Sequence, residues 1–219
     1  MANIKAPKGS PTIDMTPMVD LAFLLVTFFM LAANFRSDEP VQVDTPSSIA
    51  DAEIPKNVIM ITVDKDGRVF YGFTGGEEAR RNLLIKMADK YKVKFNQKQL
   101  EEFSLMSSFG CSIQQLPQYL EMESEARKEL KSSIPMDSTN NQLKDWIHFG
   151  NIEGLASGKV KFEEAASKNP ETEMNEYKPK FVLKVDSKAL YLHAKNVIET
   201  FRDLDLNNLN FVTSLEAGS

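Results

Sequence analysis

An apolar run near the N-terminus constrains this chain more than any other feature of its sequence. From Met15 to Phe35, twenty-one residues include one charged side chain, that of Asp20. A helix from Pro17 to Phe35 would be about 28 Å long, close to the hydrocarbon thickness of a bilayer. The run predicts a transmembrane helix over residues 16–35. A carboxylate inside such a helix indicates a functional group, with proton handling as the first hypothesis.

The averaged composition does not reveal this run, because about 180 mostly polar residues follow it. The mean hydropathy is -0.31 and the net charge is -5, values typical of an ordinary soluble protein. An acidic chain with no block of Lys and Arg argues against nucleic acid as a partner. The single cysteine, Cys111, forbids an internal disulfide, and His148 and His193 are too far apart in sequence to suggest a zinc site. We therefore expect no metal and no cofactor.

Basic residues that flank the run predict its orientation. Lys5 and Lys8 precede it, whereas Arg36 follows it and is succeeded by acidic residues. Lys and Arg favour the cytoplasmic side, and a short tail is easier to retain there than a large domain. We therefore expect residues 1–15 in the cytoplasm and the C-terminal domain across the membrane.

A cleaved secretory signal peptide is the alternative interpretation of the run. Two lysines, an apolar core and the small pair Ala32-Ala33 suit it. However, Asp20 and Pro17 stand where its apolar core should begin, and Leu31 fills a position that prefers a small residue. The membrane anchor is the favoured interpretation.

Asp20 also has a purely structural interpretation. Thr16 suits the N-cap of a helix and Pro17 its first position. Asp20 then lies about one turn inside, where the helix dipole favours a negative charge. A functional aspartate would instead need another membrane protein to shield it from lipid. The residues alone leave both interpretations open.

The start of the run resembles a known family. Members of the ExbD/TolR family of biopolymer-transport proteins carry a T-P-apolar-apolar-D motif at the start of a single transmembrane helix, and here it reads Thr16-Pro17-Met18-Val19-Asp20. The resemblance implies that the helix pairs with a second copy of itself inside a ring of an ExbB- or TolQ-type multi-span protein. It implies that Asp20 binds and releases the driving proton, while Thr16 and Pro17 have a positional role.

A second segment resembles the stretch that follows the membrane helix in this family. Residues 41–48 are similar to its V-x-V-x-L-P-x-S pattern, with Thr45 in place of the usual leucine. The resemblance makes Val41, Val43 and Pro46 a candidate periplasmic strand or partner motif.

Two further segments resemble the family's outer domain. Residues 58–73 are similar to its first hairpin, and residues 181–215 to its closing strand–helix–strand. Between Gly76 and Lys180 lie about a hundred residues where better-known members have a short connection. The resemblance therefore implies a periplasmic domain with an atypical helical insertion at about 77–179.

Local patterns predict the connections at the start of this domain. Residues 36–57 contain three prolines and are expected to form an extended linker. Two apolar runs flank Asp64-Lys65-Asp66-Gly67, which predicts a hairpin with Asp-Gly at the positive-φ positions. These four residues lack the remaining ligands of a calcium loop, so the turn is the preferred interpretation.

The fold class predicted by these patterns is α+β. Apolar spacings of three and four residues predict helices at Glu77–Tyr91, Gln97–Ser108, Ile113–Leu120, Ser124–Lys131, Asn140–Phe149 and Leu190–Leu204. Residues 150–179 are polar, which is typical of a loop or a partly ordered segment. Strands at Phe181–Val185 and Leu209–Leu215, joined by a helix, favour a mixed or parallel sheet within a domain over residues 58–219. Trp146, beside His148, is interpreted as a core residue.

The function expected from these features is that of a single-span, inner-membrane subunit of a motor driven by proton-motive force. The resemblance supplies the partner that receives the motion, a TonB- or TolA-type energy transducer. We expect no enzyme, since no set of nucleophile, base and oxyanion donors is found. ExbD-type import and TolR-type envelope maintenance remain open.

Three alternatives compete with this interpretation. One is a membrane-tethered binding or structural module without a proton role, and another is a secreted enzyme or binding protein with a cleaved leader. A flagellar-type stator subunit shares the single span and aspartate, but it would normally carry a peptidoglycan-binding domain.

Overall fold

A computed structural model describes residues 15–32, 47–48, 57–137, 139–169, 173–206, 208–212 and 214–215. The chain divides into two compact units, Met1–Arg36 and Ser37–Ser219. The first unit contains one described helix, α1, from Thr16 to Ala32. The predicted helix began at the same residue, and its last three positions lie outside the described residues.

The second unit contains short and long strands that alternate with helices. Its strands are β1 (Ser47–Ser48), β2 (Val58–Val63), β3 (Val69–Phe73), β4 (Ser108–Phe109), β5 (Met136–Asp137), β6 (Asn140–Asn141), β7 (Lys180–Val185), β8 (Leu209–Val212) and β9 (Ser214–Leu215). Its helices are α2 (Glu77–Tyr91), α3 (Gln97–Leu105), α4 (Leu116–Glu121), α5 (Ser124–Glu129), α6 (Gln142–Ala166) and α7 (Tyr191–Arg202), with a 3₁₀ turn at Met174–Glu176.

A five-stranded mixed sheet organises this unit, with strand order β4-β3-β2-β7-β8. Strands β2 and β3 pair antiparallel, whereas β7 pairs parallel with both β2 and β8. Helix α7 is the crossover connection between the parallel strands β7 and β8. The prediction of an α+β fold with a mixed sheet is confirmed.

The β2–β3 hairpin is closed by the predicted turn. The backbone N–H of Gly67 donates to the carbonyl of Asp64 at 3.0 Å. Oδ1 of Asp64 accepts from the backbone N–H groups of Asp66, at 3.0 Å, and Arg68, at 2.8 Å. Gly67 alone in the turn has a positive φ, 78°, so the expectation of two such positions was wrong at Asp66. The carboxylate of Asp64 holds the turn by local hydrogen bonds.

Helix boundaries match the predictions best where an apolar stripe is long. Helix α2 begins and ends at the predicted residues. Helix α3 ends at Leu105, three residues early, because Ser108 and Phe109 pair with β3 as strand β4. The final predicted strand is divided, since its first four residues pair with β7 and its end pairs with β1.

Helix α6 is much longer than the sequence predicted. Residues 150–166 were predicted as loop, but they continue the helix that begins at Gln142. The small residues Gly150, Gly154 and Gly158 lie on its buried face. A Cβ on Gly150 would lie 2.1 Å from Oη of Tyr71. This face of the helix therefore carries small residues because other groups approach it closely. Packing has overridden the poor helix propensity of glycine.

One hydrophobic core joins the sheet to the segment predicted as an insertion. It contains Ile59 and Ile61 of β2, and also Leu83 of α2 and Trp146 of α6, all with no solvent exposure. The rings of Phe103 and Phe109 lie 5.9 Å and 4.8 Å from that of Trp146. The interpretation of Trp146 as a core residue is confirmed. The inserted helices therefore complete the core of the sheet.

Candidate functional site

Helix α1 carries the residues of the predicted membrane motif. Thr16 is its first helical residue rather than its N-cap, and Pro17 is the second, so the helix begins one residue earlier than the capping pattern predicted. The N–H of Val19 donates to the carbonyl of Met15 at 3.0 Å, which closes the first turn. Pro17 lacks an N–H, but helix starts leave that donor without an intrahelical partner anyway. Asp20 therefore lies about one turn inside a continuous helix.

The described side chains of α1 are exposed on every side. Its large apolar residues range in exposure from 51% for Val19 to 74% for Met30. Asp20 is its one charged residue and is exposed as well. An exposed surface that is mostly apolar is unusual for a helix in water.

Within the ranges that the structure describes, no helix combines the length and the apolarity required to cross a membrane. Helix α1 has 17 residues.

The remaining predicted site residues are not described. Val41, Val43 and Pro46, the candidate strand or partner motif, lie outside the described residues. Directly after them, β1 pairs parallel with β9, with Ser47 opposite Ser214. The predicted linker thus contains one short paired segment.

A cleft that the sequence interpretation missed lies between the start of α2 and the middle of α6. Its volume is about 340 Å³, and carboxylates, small residues and one lysine line it. Ser157 Oγ donates to the carbonyl of Gly75 at 2.6 Å, and Lys161 Nζ donates to the same oxygen at 3.2 Å. Glu153, almost fully buried, pairs with Lys86 at 2.5 Å. The cleft could not be predicted because residues 150–166 were interpreted as loop.

Burial holds two titratable groups of the core, Cys111 and Tyr71, in their neutral forms. Burial raises the pKa of the Cys111 thiol to about 12, so the thiolate needed for nucleophilic chemistry is disfavoured. Burial also raises the pKa of the Tyr71 phenol. Among the described residues, no group of His, Cys, Asp and Glu side chains is arranged to hold a metal ion. These groups support a packed scaffold.

A mixed-sheet domain follows an apolar helix with one early aspartate, which is the arrangement that the resemblance to the ExbD/TolR family implied. The sequence model of the biopolymer transport protein family ExbD/TolR matches residues 7–216, essentially the whole chain. The chain belongs to the ExbD/TolR family, as its motifs predicted. Comparisons with curated proteins and with solved structures gave no match.

Family membership defines the general role of the chain. ExbD/TolR proteins are inner-membrane-anchored subunits that couple energy to biopolymer transport, and they are accessory proteins rather than enzymes. Members generally work with ExbB- or TolQ-type and TonB- or TolA-type partners. The match also covers the long segment between Gly76 and Lys180, from which apolar residues between Ala79 and Phe149 enter the same core as the sheet.

Proposed function

We propose that this protein is the single-span subunit of an inner-membrane motor that uses proton-motive force through Asp20. In this proposal residues 1–15 are cytoplasmic, residues 16–35 cross the membrane and residues 36–57 link to a periplasmic domain, residues 58–219. The motor energises an outer-membrane transport system of the ExbB–ExbD–TonB type. The observation that carries the proposal is the position of Asp20 as the one charge on an apolar helix whose described side chains are exposed.

The ionised carboxylate of Asp20 is costly to place in lipid. A carboxylate at the centre of a membrane helix costs about 2.5–3.5 kcal/mol on insertion scales, and somewhat less near an end. Protonation removes the charge and most of this cost. Asp20 near the N-terminal end of α1 therefore favours polar surroundings when ionised and apolar surroundings when protonated.

This difference lets a proton gradient move the helix. The membrane potential supplies about 2.3 kcal/mol per charge for each 100 mV, and the pH difference adds to it. Alternating exposure of Asp20 to the two sides of the membrane converts that energy into a rotation or tilt relative to the partner. Protonation then biases a two-position element, and the outer domain transmits the motion to a TonB-type transducer.

The membrane partner follows from the exposed surface of α1. A carboxylate on a helix surrounded by lipid has no polar group to interact with, so a neighbouring protein must supply one. An ExbB- or TolQ-type multi-span protein, with a second copy of α1 in the same ring, meets this requirement. A TolR-type role in envelope maintenance would use the same site with a TolA-type transducer.

The competing function is a membrane-tethered structural module in which Asp20 only stabilises the start of a helix. An amide at this position keeps the size of the side chain but does not bind a proton. We expect Asp20→Asn to assemble with its multi-span partner and to abolish proton-driven transport. Asp20→Glu, which retains a carboxyl, should keep part of the activity.

Purification of the chain from membranes tests both parts of the proposal. A multi-span protein should co-purify with the parent and with Asp20→Asn in equal amounts. Asp66→Asn, a change at an exposed carboxylate of the β2–β3 turn, is the matched control and should transport like the parent. Transport by Asp20→Asn at the parent's rate would leave the structural module as the better description.

A further inference from the structure

The polar side chains of helix α1, Thr16–Ala32, all lie on one face. Thr16, Asp20 and Thr27 are its three polar residues, and every other residue of the helix is apolar. At 3.6 residues per turn, Thr16 lies about 40° and Thr27 about 20° to the same side of Asp20. The helix therefore has a narrow polar strip, formed by these three residues, on an otherwise apolar surface.

The hydroxyl of Thr27 is oriented by its own helix. Thr27 Oγ1 donates to the carbonyl of Leu24 at 3.0 Å, and the side chain is exposed. A hydroxyl oxygen that has donated its hydrogen still has lone pairs for one or two incoming donors. Thr27 therefore presents a fixed acceptor, on the same face as Asp20 and toward the C-terminal end of α1.

We propose that Thr27 is a positioning residue for the proton path to Asp20. This inference rests on the proposed function of Asp20. Thr27 lies seven positions after Asp20 in the chain, which corresponds to about 10 Å along the helix axis. Hydrogen-bonded oxygens stand about 2.8 Å apart, so about three waters bridge the interval, and the outermost donates to Thr27. The ligand of this site is thus a short water chain between α1 and its membrane partner.

The transfer needs no reactant other than water and a proton. A proton that enters near Thr27 is accepted by the first water, which releases another of its protons to the next. The last water gives a proton to the Asp20 carboxylate, which becomes a neutral carboxylic acid. Thr27 is unchanged throughout, because its hydrogen stays with the carbonyl of Leu24.

Three variants of the complete complex, purified with its multi-span partner and reconstituted in vesicles, test this assignment. Thr27→Val removes the hydroxyl at nearly constant shape, and Thr27→Ser retains it. The double variant Val26→Thr/Thr27→Val moves the hydroxyl about 100° around the helix. Proton-driven activity is measured against the pH on the side of the C-terminal domain, and co-purification of the partner checks assembly.

Thr27→Val should lower the rate of proton-driven activity about two- to tenfold, which is the change expected from the loss of one hydrogen bond. Its half-maximal activity should shift to a more acidic pH, by about 0.3–1 unit. Thr27→Ser should restore both values, and the double variant should not.

Each contrary result has a distinct meaning. Parental rate and pH profile in Thr27→Val, with Asp20→Asn inactive, would overturn the role of Thr27 and leave the proposed function intact. Equal losses in Thr27→Val and Thr27→Ser would show a packing role, and recovery in the double variant would show that the face is irrelevant. Parental activity in Asp20→Asn would overturn the proposed function itself.

Discussion

The side chain of Asn57 is hydrogen-bonded to the backbone of Gly154, with Nδ2 donating to its carbonyl at 2.9 Å. The same nitrogen donates to the carbonyl of Tyr177 at 2.8 Å. Asn57 immediately precedes β2 and is 3% exposed. One buried amide thus fixes the start of the central sheet to α6 and to the loop that precedes β7.

Replacement of Asn57 by Asp should destabilise the domain more than replacement by Ala. The carboxylate would face two carbonyl oxygens without a hydrogen to donate, and it would be buried. We expect Asn57→Ala to lower the free energy of unfolding by about 1–3 kcal/mol and Asn57→Asp by more. Denaturant unfolding in detergent, followed by the fluorescence of the single tryptophan, Trp146, provides the measurement. An Asp variant as stable as the parent would contradict the two hydrogen bonds.

Alanine at Gly158 should be much worse than alanine at Gly154. A Cβ on Gly158 would lie 2.1 Å from the carbonyl oxygen of Tyr177, which is backbone and cannot rotate away. A Cβ on Gly154 would lie 3.0 Å from the ring of Pro179, so a smaller shift suffices. We expect a loss of about 1–3 kcal/mol or more for Gly158→Ala. The same denaturant unfolding of both variants gives the comparison. Equal free energies of unfolding would contradict the close packing of α6 at Gly158.

Truncation should destabilise the domain strongly at Phe103 and hardly at all at Leu105, although both residues belong to the C-terminal half of α3. Phe103 is 3% exposed, whereas Leu105 is 67% exposed at the end of α3. We expect Phe103→Ala to cost about 3–5 kcal/mol and Leu105→Ala less than about 0.5 kcal/mol. Unfolding curves of the two variants give the comparison. A large loss in Leu105→Ala would mean that this residue is covered in the assembled protein.

Cys111 should make stability fall at alkaline pH. Its pKa is raised from 9.0 to about 12 in the fold by burial, so the thiol ionises first in the unfolded chain. Its contribution is therefore complete below about pH 9 and is lost progressively between about pH 9 and 12, by at most about 1.4 kcal/mol per pH unit. Cys111→Ala should remove this part of the slope, as shown by unfolding at several pH values from 8 to 11.

The thiol also offers a direct chemical test. Native protein at pH 8 should react slowly with a thiol reagent, and denatured protein should react at once. Fast labelling of the native chain would contradict the burial of Cys111.

Local sequence was a good guide where a pattern repeats over several residues. The stripe of Leu83, Leu84 and Met87 predicted α2 with both ends at the observed residues. The turn ending in Gly67 predicted the β2–β3 hairpin. Patterns failed over residues 150–166 of α6, where three of the four buried residues are glycines and hydrophobicity cannot distinguish the helix from a polar loop. The cleft between α2 and α6 was missed for the same reason.

The sequence by itself determined the apolar helix, its solitary Asp20 and the family to which the chain belongs. These depend on side-chain chemistry and on spacing along one segment, both of which can be read directly. The tertiary structure alone decided that residues 77–166 complete the core of the sheet. It did so through contacts between residues far apart in the chain, such as Asn57 with Gly154, and close approach of this kind leaves no periodic signal in sequence.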